Sequence, residues 1–199
     1  DTILSAEKLF EMHMKKNIQL VCYGEDSYPK RLSETPHAPP ILFCSSKIDF
    51  NRPKVLSIVG SRKATSYGKD VVKKLIEELS IYDDLLLISG LAYGIDIHAH
   101  RAALEANVPT VGIVAGGVDT IYPFYHTKIA FKMMKQGGVI SEQALGISPE
   151  KHHFPLRNRI IAGMADACII VEAGQKSGAM ITANYANDDN REIFAVQFQ

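Results

Sequence analysis

From residue 54 onward, short apolar runs alternate with longer amphipathic stretches. Runs of strand length occupy 55–59, 85–88, 110–115, 139–140, 167–171 and 193–196. Between them, apolar residues at helical spacing predict helices near 66–81, 95–106, 125–135, 156–164 and 179–187. Strands that are apolar on both faces and separated by helices belong to a parallel sheet covered on both sides. Right-handed crossovers then give an α/β fold with a doubly wound, mainly parallel, Rossmann-like sheet. Such a sheet binds ligands at the carboxyl ends of its strands.

Residues 1–50 follow another pattern. "SAEKLFEMHMKKN" predicts a helix with Ser5 as N-cap and with Leu9, Phe10, Met12 and Met14 near helical spacing. "IQLVCY" reads as a short strand, and the proline-punctuated "YPKRLSETPHAPPILFCS" ends in a second apolar run. The expected organisation is an N-terminal extension, 1–50, packed on a Rossmann-like domain, 51–199.

Charge narrows the ligand question. Lys plus Arg equals Asp plus Glu, 22 each, so no overall field draws in nucleic acid or an anionic membrane. An anion site must be a local gathering of donors. No apolar run is long enough to span a bilayer, and no charged-then-apolar leader opens the sequence. Cys22, Cys44 and Cys168 lie far apart with no C-x-x-C, as expected of reduced thiols in a cytoplasmic protein.

The residues that follow each strand carry the candidate chemistry. Gly60-Ser61-Arg62 follows the first strand, with Thr65-Ser66-Tyr67-Gly68 opening the next helix. "SGLAYGID" follows the second, "AGGVDTIYP" the third, Ser141-Glu142 the fourth and "EAGQKSGAMITA" the fifth. Glycines admit a ligand close to the backbone, and hydroxyls with free N–H groups at helix starts bind anionic oxygens. Several such turns on one sheet edge predict a polar crevice suited to phosphate.

Specific nucleotide motifs are absent. The first turn is not G-x-G-x-x-G, and the second strand ends in Ser89-Gly90 without an acid for a ribose. Gly174-Gln175-Lys176-Ser177 only echoes a P-loop, and no G-x-S-x-G elbow is present. Asp96, His98 and His100 are spaced two apart on a helix, and His152-His153 has no partner at ligand spacing, so no metal and no cofactor is expected.

"EKHHFPLRNRIIAGMADA" adds an aromatic to the cations. Pro155 suits a first helical turn, which puts Phe154 at the helix entrance with Lys151, His152, Arg157 and Arg159 around it. Cations, an exposed ring and a helix start at one strand edge fit a phosphodiester carrying an unstacked base. The alternative is structural: Phe154 staples the helix, and the arginines pair with Glu142 and Glu172. Spacing two apart cannot aim both Arg157 and Arg159 into the crevice.

"GSRKATSYG", "SGLAYGIDIHAHRAAL", "GGVDTIYP", "SE", "FPLRNRIIAGMAD", "VEAGQKSGAMITANYA" and "REIFAV", in that order, resemble the DNA-processing protein A family, also called Smf. The match runs from about residue 55 to 196, and more loosely upstream through "YPKRL" and "PPILF". The resemblance implies an extended Rossmann domain that binds and protects single-stranded DNA without sequence preference. It also implies loading of RecA recombinase in natural transformation and a homodimer. It puts Arg62, Lys151 and Phe154 in the DNA pocket. The sequence offers no positioned nucleophile, metal cluster or suitably spaced carboxylate pair, so a binder and not an enzyme is expected.

With the residue reading, the candidate DNA-binding set is Gly60, Ser61, Arg62, Thr65, Ser89, Gly90, Lys151, Phe154, Arg157, Arg159, Lys176, Ser177 and Gly178. The family usually continues past its last strand with Pro-Gly and a further segment, whereas this sequence reads "AVQFQ", as expected of a core piece of a longer chain. The alternative function is a nucleotide-processing enzyme like the lysine-decarboxylase-like phosphoribohydrolases. Their P-G-G-x-G-T turn and following glutamate are missing from "GQKSGAMITANYA".

Overall fold

The computed structural model describes residues 2–196. Its centre is an eight-stranded sheet in the order β1-β2-β6-β5-β4-β3-β7-β8. Six strands run parallel: β3 (Lys54–Gly60), β4 (Leu85–Ser89), β5 (Thr110–Ile113), β6 (Gly138–Ser141), β7 (Ala167–Val171) and β8 (Glu192–Val196). β1 (Gln19–Cys22) and β2 (Ile41–Cys44) add an antiparallel pair beside β6. Every residue of β4, β5, β6 and β7 is buried, as continuous apolar runs in a doubly covered sheet require.

The helices divide between the faces. α3 (Ser66–Leu79), α4 (Ile95–Glu105) and α5 (Thr127–Met133) cover one, and α6 (His153–Gly163) and α7 (Gly178–Asp188) the other. Val72 and Ile76 of α3 pack with Ile95, Ala99, Ala102 and Ala103 of α4 on Ile58 and Leu87. On the opposite face, Ile160, Ile161, Ala179, Ala183 and Ala186 meet Val59, Ile88 and Ile170. The chain runs from β3 through β4 and β5 to β6, then returns to lay β7 on the other side of β3. A switch point between β3 and β7 results, and crevices open at such points.

Several boundaries differ from expectation. α1 (Thr2–Lys15) begins before Ser5, which lies inside the helix and not at its cap. The helix expected at 125–135 divides into a 3-10 turn, Phe124–His126, and the shorter α5. α6 starts at His153, earlier than the apolar periodicity indicated, so Phe154 and Pro155 both sit in its first turn. The connector contains a one-turn helix, α2 (Lys30–Ser33), held by the buried Leu32. Cys44 and Cys168 are buried, and burial pushes their thiols up to about 12 and about 11. No described helix is long and apolar enough to cross a membrane.

Candidate nucleic-acid interface

A cleft of about 750 Å³ opens over the carboxyl ends of β3 and β7. Gly60, Ser61, Arg62 and Lys63 form one wall, Gly174, Ser177 and Gly178 another, and Lys151, Phe154 and Arg157 a third. Gly60 and Gly178 therefore share a rim, as the strand-end pattern required.

The wall at β3 is fixed by close backbone packing. A Cβ on Gly60 would lie 2.0 Å from the Val171 carbonyl oxygen, so only glycine lets β3 end against β7. Ser61 N–H donates to the same oxygen at 3.1 Å, and the Ser61 carbonyl accepts from Ile95 N–H at 3.0 Å. Pinned on both sides, the turn leaves Arg62 and Lys63 exposed toward the cleft.

The third wall is the start of α6. Phe154 is half-buried and belongs to none of the three buried clusters of the described residues. Its ring meets Tyr122 edge-on, with centroids 5.6 Å apart and planes at 68°. The Arg62 guanidinium lies 6.0 Å from the Phe154 centroid. A cation over a ring at that distance is weakly attractive. Lys151 is exposed beside them.

Arg157 does a different job. Only 5% exposed, its Nη1 donates to the Gly90 carbonyl at 2.6 Å and to the Ile113 carbonyl. Asp96, at the start of α4, accepts from Gly90 N–H at 3.1 Å. Burial raises the Asp96 carboxyl, and the Arg157 charge opposes that rise. Burial lowers Arg157 to about 10 while Asp96 raises it, so the guanidinium stays charged at neutral pH. The pair fastens α6 and α4 to the ends of β4 and β5. Arg157 thus floors the cleft, with its donor Nη1 spent on carbonyls and not free for phosphate.

Five candidates, Thr65, Ser89, Gly90, Arg159 and Lys176, lie outside the cleft lining. Ser89 is fully buried and donates to the Ile58 carbonyl at 2.6 Å. Thr65 caps α3 by accepting from Gly68 N–H at 3.2 Å, and its hydroxyl donates to Glu172. Arg159 pairs with Glu142 at 2.5 Å, the structural alternative raised by the sequence. Glu172 answers Thr65 and not an arginine. Lys176 is exposed but lines no wall, whereas Ser177 leaves a buried hydroxyl oxygen unpartnered beside Gly178. Gly90 contributes its backbone to a smaller adjoining cavity.

Sequence reasoning passed over Tyr122, Lys63 and Asn158. Lys63 adjoins Arg62, and Tyr122 stands before a proline in a glycine-bearing strand-end loop, so both carried a signal. Asn158 did not: it donates to the Gly178 carbonyl at 3.0 Å and ties α6 to α7. His100 is a buried packing residue bonded to Thr110, and burial lowers it to about 3. Among the described residues, no group of three His, Cys, Asp or Glu side chains could hold a metal ion.

A cationic, aromatic-edged cleft at a switch point is now in place, and sequence comparison supplies the family. The profile of DNA recombination-mediator protein A matches residues 19–199. The chain belongs to that family. A DNA processing protein DprA of Bacillus subtilis is 35% identical over 95% of this chain and 64% of its own length. Protein Smf of Synechocystis is 36% identical over 97% of this chain and 49% of its own length. The chain thus spans about half to two thirds of these curated relatives.

Solved structures agree on the fold. The crystal structure of DNA processing protein A from Streptococcus pneumoniae superposes with a TM-score of 0.84 at 34% identity, covering 95% of this chain and 67% of that one. A structure of DNA processing protein A from Helicobacter pylori, described as giving insight into that protein's single-stranded DNA binding mode, gives 0.80 at 28% identity, covering 92% of this chain and 83% of that one.

Proposed function

We propose that this cleft binds single-stranded DNA without sequence preference, and that the protein is a DNA binder and not an enzyme. The carrying observation is the joint placement of Arg62, Lys63, Lys151 and Phe154 on one cleft of a neutral protein. Cations along a groove take the phosphates, and an accessible ring takes a base face, which is sequence-tolerant because every base has one. The single-strand binding mode described for the H. pylori relative supports the same reading.

The role extends, in this proposal, to protecting incoming DNA in the cytoplasm and loading RecA recombinase during natural transformation. The acting form is a homodimer. Among the described residues no strand pairs with the outer edge of β8, and Ile193 and Phe194 are exposed, apolar surface that a second copy can cover. Light scattering at tens of micromolar should report twice the chain mass, and monomer alone would oppose the dimer.

The phosphate claim is tested at Arg62. Arg62→Ala should weaken an oligothymidylate on the order of tenfold and reduce the steepness of its salt dependence by about 0.7 in log–log slope, the loss of one phosphate contact. Weaker binding with an unchanged slope would show that Arg62 contacts no phosphate.

A further inference from the structure

A groove lies away from the cleft, between α5, the loop after β5 and the residues entering β1. It encloses about 590 Å³, ample for side chains of a ligand, and shares no lining residue with the cleft. Ile18, Val118, Ala130, Met134 and Leu145 form its floor and belong to, or pack on, one buried cluster. Phe124 and Phe131 stand at its rim, 79% and 63% exposed, and neither ring meets another aromatic among the described residues.

This exposure is held in place. His126 Nδ1 donates to the Leu91 carbonyl at 2.7 Å, and the Thr127 hydroxyl donates to the Phe124 carbonyl at 2.6 Å. The 3-10 turn is thereby pinned to the loop after β4. Two rings over one apolar floor make a contiguous patch, the kind that marks an interaction site.

Charge identifies the occupant. Thr127, Phe131 and Met134 line the groove, and Lys128, Lys132 and Lys135 each follow one of them on the adjoining exposed stripe. None of the three lysines is ion-paired among the described residues, and no acid occurs from residue 120 to 141. Asp119, the acid that lines the groove, is taken up by Lys16 at 3.3 Å. On the far side of α5, Glu105 has Arg101 beside it. Such a surface complements apolar anchors on an acidic segment.

Other occupants suit it less. Branched aliphatics and a methionine receive side chains more readily than they stack bases, and a concave floor does not meet a flat bilayer. The exposed amphipathic helix of a second copy, α1, sets Lys8 and Lys15 against Glu7 and Glu11 and brings no net acid.

We infer that the groove docks an acidic amphipathic helix of a partner protein. Its apolar residues, three and four apart, seat between Phe124 and Phe131 while its carboxylates face the lysine stripe. The inference stands apart from the single-strand reading, because the two surfaces share no residue.

The test begins with random peptides of about four helical turns, displayed on phage and selected against the wild-type protein. Enriched peptides should combine Asp or Glu with apolar residues at helical spacing. The most enriched one is labelled and titrated by anisotropy against wild type and two variants. Phe131→Ala should weaken it on the order of tenfold, as loss of a central aromatic anchor does. Lys128→Glu combined with Lys132→Glu should weaken it comparably and flatten its salt dependence. Both variants alter exposed side chains, so melting temperature should hold and oligothymidylate affinity should stay within about twofold.

Enriched peptides that are basic or uncharged, or that bind both variants like wild type, would overturn the inference. So would variants that lose oligothymidylate at unchanged peptide affinity, the mark of a nucleic-acid surface. A fall in particle mass confined to the variants would overturn it too, by assigning the groove to a second copy.

Discussion

Phe154→Ala is expected to cost about 1–3 kcal/mol of single-strand affinity, the worth of one base–aromatic stack. The salt slope should barely change, because the ring carries no charge. Preference for single strands over duplex should collapse as well, since base faces are hidden inside a duplex while phosphates are not. The structure locates the effect in binding. Phe154 lies in the first turn of α6, outside the buried clusters, in contact with Tyr122 and Arg62. A helix staple would behave otherwise, with a lower melting temperature and unchanged affinity in the folded fraction. Fluorescence titration and a thermal melt on the same variant decide between them.

Gly94→Ala is expected to have the largest effect on stability and binding together. Gly94 precedes α4 with φ 76 and ψ −126, a region L side chains rarely adopt. That backbone state costs a non-glycine residue roughly 1–3 kcal/mol. The added Cβ would also lie 2.0 Å from the Ser61 carbonyl oxygen and 2.7 Å from Arg62 Cα. Both atoms belong to the turn that aims Arg62, so relieving the clash moves the phosphate-binding wall. The melting temperature should fall by at least about 5 °C for a chain of this size. Affinity should fall even where the protein stays folded. A melt within a degree of wild type would show that the turn accommodates the methyl group.

These two sites illustrate what can be read from sequence. The parallel sheet was legible because buried strands leave unbroken apolar runs, and those runs fell within a residue or two of β3, β4 and β7. Arg62 and Phe154 were legible because each is chemically out of place: a cation in a glycine turn, an aromatic before a helix proline. Ser89 and Thr65 looked equivalent to Ser61, since all are hydroxyls at strand ends. Only the tertiary partners, Ile58 for one and Glu172 for the other, remove them from the cleft.

Arg157 shows the same limit. Its spacing from Arg159 establishes that the two face different ways, but not that the inward one is consumed by carbonyls of β5 and the loop after β4. In the sequence Gly94 is one glycine of a strand-end loop. Its need for positive φ comes from the Ser61 turn, distant in sequence and adjacent in space. Tyr122 likewise gained meaning only when the return of the chain through β6 and α6 brought Phe154 against it.

The single-strand claim is tested most directly by titrating a labelled oligothymidylate against the protein at two salt concentrations, with unlabelled single strand and duplex as competitors. Saturable binding that weakens as salt rises, and that single strand but not duplex displaces, is the expected result. Equal displacement by duplex, or no saturable binding at low salt, would contradict it.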